Sequence, residues 1–397
     1  MTRKLLALSA LAAGAFALPA FAWDAHGHRT IAILAVDVMQ SKLPAEATKE
    51  GGPLAFVVSP SGRTQVGYQS GEPDRYRAIR FGQLKHENDP DHYIDLEDLE
   101  AFGLTLSTVP PLRYEYLRVM AVAKHEHPEA TKPYNEKRDI ARTQEFPGYL
   151  PHAIMEHYGK LISSDRQVRV LEALNDPKRV DQLTAARANV LFEMGQLAHF
   201  VGDAAQPLHT TQHHHGWIGN NPDGFTTNNG IHAYIDGTIV GIHGLNYESL
   251  KGVCTGERIV DKNDPWNDVL AHIQRSFDQV RPLYQMQKSG ELEKEAGKKF
   301  ITERFCDGAT MLGALYAAAW EASAMQPKDA TDFINYDSGA SGKVNPMEKG
   351  KKVDAPVVPD VVPPTAPTSP PQPASPAPAP EPVEVPKPAP VPEPSHP

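Results

Sequence analysis

An all-α protein is predicted from three observations. Strand-like alternation is rare along the 397 residues, and apolar residues recur at three- and four-residue steps in several long windows. The segments between those windows are rich in Pro, Gly, Asn and Asp. Together these features predict a single mostly helical domain over residues 23–330, with long loops that carry the site chemistry.

The elements follow in order. Residues 1–22 have a basic start (Arg3, Lys4), the apolar run LLALSALAAGAFAL and a small-residue Ala-Phe-Ala end. These are the three parts of a secretory signal peptide, so the mature chain is expected to begin at Trp23 and to be exported, to the periplasm or outside the cell. No other stretch approaches the roughly 18 consecutive apolar residues that a spanning helix needs, so no membrane span is expected. Helical periodicity runs through HRTIAILAVDVM from His28, LRYEYLRVMAVAKH from Leu112 and ANVLFEMGQLAHFVGDAAQ from Ala188. It continues in WNDVLAHIQRSFDQVRPLY from Trp266 and from Leu292 through TERFCDGATMLGALYAAAWEA. The stretch GWIGNNPDGFTTNNG from Gly216 is a loop by composition. Residues 331–353 read as a linker. From Asp354 to Pro397, 18 of 44 residues are proline, which cannot bury a core and predicts a disordered, extended tail without catalytic weight.

Formal net charge is −10, and it becomes −12 once the two cations Arg3 and Lys4 leave with the leader. A diffuse basic surface for gripping phosphate backbones is thereby excluded. Any phosphate-bearing substrate must be attracted by something local, such as metal ions. Cys254 and Cys306 are the only cysteines. In an exported chain a disulfide between them is expected, with two free buried thiols as the alternative.

The chemistry-bearing residues are histidines and aspartates at helical spacing. HFVGD places His199 and Asp203 four residues apart, on one face of an otherwise apolar helix. A buried Asp is costly unless it is paired or bound to metal. His209 follows where Pro207 should end that helix. GIHAYIDGT repeats the spacing with His232 and Asp236. One such pair is weak evidence, whereas two of them separated by a third His in a chain of 17 histidines carry more weight. Upstream lie Asp74, Arg77, His92 and Asp95, each ordinary alone: Asp74 could cap a helix, and His92 could be a satisfied core residue. At the mature N-terminus WDAHGH sets Trp23 five residues before His28. A free α-amine is partly neutral near pH 7.7–8.0 and with its own carbonyl oxygen forms a five-membered chelate. Trp23 could therefore bind metal through its backbone while its ring anchors the terminus; the plainer reading makes it only the first ordered hydrophobe.

Taken together these residues resemble the S1/P1 nuclease family of zinc-dependent single-strand nucleases, which shares a superfamily with the bacterial zinc phospholipases C. The resemblance covers Trp23 to about Met325 and lies in the order of Trp23 and His28, Asp74 and Arg77, HYID at 92–95, HFVGDAAQPLH at 199–209, and His232 with Asp236. It implies three zinc ions per chain in a mostly helical fold. Asp74, His92, His199 and Asp203 would hold the first. Trp23, through amine and carbonyl, would hold the second with His28 and a bridging Asp203, and His209, His232 and Asp236 would hold the third. It further implies an endonuclease that hydrolyses single-stranded DNA and RNA to 5′-phosphate products through a zinc-bridged hydroxide, with Arg77 holding the charge that develops on the phosphoryl oxygens. A monomer is expected.

In the nucleases an aromatic after the metal His and an acid two residues later bind an unpaired base; Tyr93 and Asp95 stand there. Stacking on an aromatic face contributes roughly 1–3 kcal/mol per base and favours single strands. The alternative packs Tyr93 in the core and lets Asp95 cap a turn. The loop before His232 departs from the family's Gly-Gly-Asn, keeping only Gly219 and Asn220, of which Asn220 is the expected substrate contact, and Ile235 replaces the family's Trp before the final ligand. His213, His214, His215 and Trp217 could form a substrate-edge patch, a further metal site or a solvated loop. An aromatic, histidine-rich loop could also take a choline headgroup by cation–π contact, so a phospholipase C acting on phosphatidylcholine is the second reading. A zinc scavenger without catalysis is the third.

Overall fold

The computed structural model describes residues 23–131 and 139–337. The expected signal peptide at 1–22, the remainder of the linker and the proline-rich tail at 354–397 lie outside the described residues. Among the described residues helices are the only regular elements, apart from one isolated bridge between His214 and Gly216.

Helix α1 spans Ala25–Lys42. Asp24 starts it, its Oδ1 accepting from the backbone N–H of His26 and of Gly27 at 3.0 Å each, which satisfies two donors that have no partner inside the helix. A short α2, Glu72–Arg77, carries Pro73 in its first turn, where a missing N–H costs nothing. Helix α3 covers Arg113–Glu126, as the periodicity from Leu112 predicts. Helix α4, Leu150–Leu174, is a 25-residue element that the periodicity does not pick out. Its punctuation is legible nonetheless: Pro151 lies in the first turn, and Asn175 ends the helix at φ 46° in the left-handed region that Asn tolerates.

Helix α5 runs over Val180–Ala205, eight residues longer at its start than the window from Ala188. The window from Trp266 splits into α6, Trp266–Phe277, and α7, Val280–Ser289. The break falls just before Pro282, whose missing N–H and ring are tolerated only within the first turn of a new helix. Helix α8, Glu295–Ala322, is the longest among the described residues, and α9, Asp329–Asp337, crosses the boundary expected at residue 330. Phe333 of α9 packs on the core, and Arg166 of α4 pairs with Asp329 at 3.8 Å.

The core forms where α1, α4 and α8 surround α5. Every residue of α5 from Met194 to Ala205 is buried, so this half of the helix is apolar all round except for Gln196, His199 and Asp203. Burial of Leu197, Phe200 and Val201 stabilises by about 1.5–3 kcal/mol each. That burial offsets the cost of the polar groups among them. Cys254 and Cys306 are bridged, with Sγ atoms 2.09 Å apart, and the link ties the loop after Leu250 to α8. No helix among the described residues is long and apolar enough to cross a membrane.

Candidate metal centre

The centre is built on the buried end of α5. His199 and Asp203 lie one turn apart there, with His199 Nε2 3.4 Å from Asp203 Oδ2. The helix C-terminus carries partial negative charge, which disfavours an unneutralised Asp203 and favours a cation beside it. His28 comes in from α1: its Nε2 lies 3.3 Å from Asp203 Oδ1, and its ring stacks on that of His199 at 4.0 Å. Gly202 makes this approach possible, because a Cβ at that position would stand 2.9 Å from His28 Nδ1.

Trp23 closes the same side. Its indole is fully buried, donates to the Gly202 carbonyl at 3.0 Å and meets Phe305 edge-on at 4.6 Å. Gly27 allows the chain to double back, since a Cβ there would lie 2.8 Å from Trp23 Cβ. The terminal residue of the expected mature chain is thus locked beside the residue that precedes Asp203.

His92 enters from a 3-10 turn, Asp89–His92, and brings Nδ1 to 3.1 Å from Asp203 Oδ2 and 3.0 Å from His199 Nε2. Asp74, in the first turn of α2, places Oδ1 3.9 Å from both His92 Nδ1 and His199 Nε2. Two sets of potential ligand atoms therefore converge within 4.8 Å, His28 with Asp74 and His199, and His92 with His199 and Asp203. His28 thereby faces Asp74 and His199 as well as Asp203. On the far side His209 Nε2 lies 3.0 Å from His232 Nε2, which is 3.3 Å from Asp236 Oδ2. His232 sits on a short helical turn, Ile231–Ala233, that leads directly into a π-helical turn, Tyr234–Ile239, carrying Asp236. The four-residue spacing is thus realised with a wider winding than the α-helix it suggested, of a kind that often marks functional positions.

Hydrogen bonds fix which ring nitrogens face inward. His199 Nδ1 meets the Ser70 carbonyl at 2.7 Å, and His209 Nδ1 meets the His92 carbonyl. A carbonyl only accepts, so in the neutral rings these nitrogens carry the proton and Nε2 presents a lone pair to the centre. The backbone reinforces the pairing, since the Ile94 N–H donates to the His209 carbonyl at 2.9 Å.

Burial sets the charge state. It pushes the Asp74 carboxyl up to about 7 and those of Asp203 and Asp236 well above the usual carboxylate range. It pushes His92, His199 and His232 well below the usual imidazole value, and His209 down to about 3. Asp74 Oδ1, Asp203 Oδ1 and Asp236 Oδ2 are buried acceptors that receive no hydrogen bond among the described residues. Inward lone pairs and unsatisfied carboxylate oxygens are what a bound cation would satisfy, so these buried His/Asp clusters could hold metal.

The expected substrate residues are placed differently from one another. Tyr93 follows His92 in extended backbone, is partly exposed, and its hydroxyl donates to the Thr143 carbonyl at 2.6 Å. Asp95 precedes the helix Leu96–Ala101 without a side-chain cap bond; its Oδ1 lies 3.8 Å from His214 Nδ1. The Tyr93 and His214 rings stand 6.4 Å apart. Arg77 lies at the rim, with Nη1 3.6 Å from Asp74 Oδ1 and Nε 3.9 Å from Asp89 Oδ1. Asn220 is exposed, and its carbonyl accepts from the Trp217 indole at 2.9 Å; no hydrogen bond or ion pair joins its side chain to the cluster among the described residues.

The histidine run divides. His213 is buried and stacks on Trp217 at 3.8 Å, while the His215 ring lies 5.8 Å from that of His232. The residues that sequence reasoning passed over are the ones that orient ligands: Ser70, Asn88 (Nδ2 3.1 Å from His92 Nε2) and Gln206. Gln206 donates to Asp236 Oδ1 at 2.7 Å and accepts from the Leu208 N–H at 2.6 Å. Only its place inside QPLH hinted at this. Gln206→Ala is expected to weaken metal retention at His209, His232 and Asp236 by about 10–100-fold, read by metal titration. Retention equal to wild type would show that Asp236 needs no such support.

Fold and site together define a protein whose described residues are mostly helical and enclose buried His/Asp clusters that could hold metal. No family model matches the chain, and no curated protein matches it.

Proposed function

We propose that this chain is an exported, zinc-dependent phosphodiesterase of the S1/P1 nuclease type, cutting single-stranded DNA and RNA to leave 5′-phosphates. The observation that carries the reading is the meeting, in one buried pocket, of His28, Asp74, His92, His199 and Asp203 from four separate segments, with His209, His232 and Asp236 alongside.

Nitrogen and carboxylate ligands, with both cysteines taken up in a disulfide, suit zinc in a hydrolytic site. Asp74, His92, His199 and Asp203 would hold one ion, Trp23 with His28 and Asp203 a second, and His209, His232 and Asp236 a third. Bound zinc supplies Lewis acidity, lowering the pKa of water and offsetting charge on phosphoryl oxygens. The chain's own groups do the rest. Asp203, facing several imidazoles at once, holds the ligand sets in register, and Arg77 sits at the rim where developing negative charge can be met. Tyr93, its hydroxyl pinned to Thr143, offers a fixed ring for an unpaired base, and Asp95 beside His214 offers polar contacts to its edge.

One observation weighs against the choline reading. Trp217 is already covered by His213 at 3.8 Å, and Arg281 lies over Trp217 at 5.4 Å and over Phe225 at 5.5 Å. A quaternary ammonium would have to displace a resident cation.

The test is a paired assay with zinc supplied, offering single-stranded DNA and RNA in one arm and phosphatidylcholine in the other, each with and without chelator. Chelator-sensitive release of 5′-nucleotides is expected. Diacylglycerol release alone would move the chain to the phospholipase branch, and zinc binding without any product would leave a scavenger.

A further inference from the structure

We propose that the connection 78–81 is an additional strand-binding subsite, in which Phe81 stacks a base beyond the scissile bond and Arg80 meets a neighbouring phosphate. This rests on the nuclease reading above and adds to it a contact outside the metal centre.

The connection is short and held at both ends by elements of the centre. Behind it is α2, which carries Asp74 and Arg77; ahead of it is the helix Gly82–Asn88, which leads to His92. Asn88 Nδ2 donates to the Pro73 carbonyl at 3.1 Å, and Lys85 Nζ reaches the Arg77 carbonyl at 3.4 Å, so the two helices are tied together across the turn. The Phe81 N–H donates to the Ile79 carbonyl at 2.9 Å. This tight turn presents both side chains to solvent, each 56% exposed.

Single exposed hydrophobes are common and mean little. These two flank a cation with no partner: Arg80 is exposed and makes no ion pair or hydrogen bond among the described residues. Arg75, Arg77 and Lys85 each face a carboxylate. Tyr68, the other exposed aromatic of this region, is covered by the Arg75 guanidinium at 4.2 Å, whereas the Phe81 ring has no ring or cation neighbour among the described residues. The run RYRAIRFGQLK from Arg75 to Lys85 holds four cations and no acid, in a chain whose net charge is −10. It is a local basic edge on an acidic protein.

Phe81 stands four positions after Arg77, a reach of at most about 14 Å. A strand whose phosphate lies against Arg77 therefore brings its next nucleotides within range of Phe81. An open aromatic face beside an unpaired guanidinium is the combination that binds single strands without reading sequence. A lipid surface fits less well, because one Phe and one Ile bury too little to anchor a protein on a bilayer.

The experiment uses the zinc-loaded full chain and its Phe81→Ala, Phe81→Trp and Arg80→Ala variants, all at exposed positions. Each is assayed on a dinucleoside monophosphate, on a long single-stranded oligonucleotide, and for co-sedimentation with phosphatidylcholine vesicles. Phe81→Ala is expected to raise KM for the long strand by about fivefold or more, with kcat and dinucleotide turnover unchanged, and Phe81→Trp to restore it. Arg80→Ala is expected to lower the slope of log KM against log salt by about 1 on the long strand alone. Equal effects on both substrates, or none on either, would overturn the subsite. Loss of vesicle binding with strand cleavage intact would assign the edge to lipid instead. Failure of the nuclease reading itself would show in the wild type, as no cleavage of either nucleotide substrate.

Discussion

Asp203→Asn is expected to strip the centre of zinc and to lower turnover by more than about a hundredfold, beyond the usual cost of an outer-shell change. In the proposed ligand sets Asp203 is the shared carboxylate, and His28, His92 and His199 lie 3.3, 3.1 and 3.4 Å from its oxygens. The amide keeps the shape, removes the charge and turns one acceptor into a donor facing imidazole lone pairs. The same change should leave the metal-free chain at least as stable as wild type, because a fully buried carboxyl whose ionisation burial opposes is replaced by a neutral group. Zinc at a hundred times its dissociation constant stabilises by about 2.7 kcal/mol, which for a domain somewhat smaller than this one is a rise of about 5–10 °C in Tm. Wild type should show the rise and the variant should not. Zinc content and turnover at wild-type levels in Asp203→Asn would remove the carboxylate from the centre of the account.

A pH dependence follows from the same burial. Asp74 has its carboxyl raised from 3.8 to about 7, so its contribution to the stability of the metal-free chain is fully present below the lower value and is lost as pH rises through the higher. The buried histidines act in the opposite sense, but only below about pH 6.5, where the unfolded imidazoles take up protons. Once the histidines no longer offset it, above about pH 6.5, metal-free protein should therefore lose the last of the Asp74 contribution by about pH 7, with Asp203 and Asp236, also raised by burial, adding losses of the same sign. Zinc-loaded protein, whose carboxylates are ionised against the metal, should keep it, and the gap between the two forms should widen across that window in thermal unfolding.

The second large effect concerns the terminus. A mature chain that begins at Trp23 should be active, and one carrying a single residue ahead of Trp23 should lose more than about a hundredfold while keeping its helical content. The added residue turns the amine into an amide nitrogen with no lone pair to give. The indole cannot move aside to compensate: it is fully buried against Phe305, bonded to the Gly202 carbonyl, and seated in the space that Gly27 leaves by lacking a Cβ. Full activity and full zinc content in the extended protein would remove Trp23 from the ligand set and leave it as a core residue.

Much of this molecule is legible without coordinates, because α-helical periodicity is a local property. The apolar repeats from His28 and Ala188 fall on helices, those from Leu112 and Leu292 run into helices that start one and three residues later, and the Cys254–Cys306 bridge is the pairing expected of an exported chain. Helix α4 escaped because its apolar stripe is interrupted by charged residues, although its flanking Pro151 and Asn175 are visible signals. The split between α6 and α7 escaped because Pro282 is compatible with a first turn as well as with a kink.

By itself the sequence determined which side chains are worth placing: histidines and aspartates at helical spacing inside apolar windows, where an unpaired carboxylate would be intolerable. Only the tertiary structure decided that they meet. Asp74 and Asp203 are brought together by the packing of α2 on α5, His28 by the space Gly202 leaves, and the inward faces of the His199 and His209 imidazoles by the carbonyls of Ser70 and His92. Those contacts join residues far apart in the chain, and no local pattern records them. The same holds for Trp217, whose ring is filled by His213 and Arg281. Periodicity follows from the geometry of one helix, whereas a site depends on several helices packing at once.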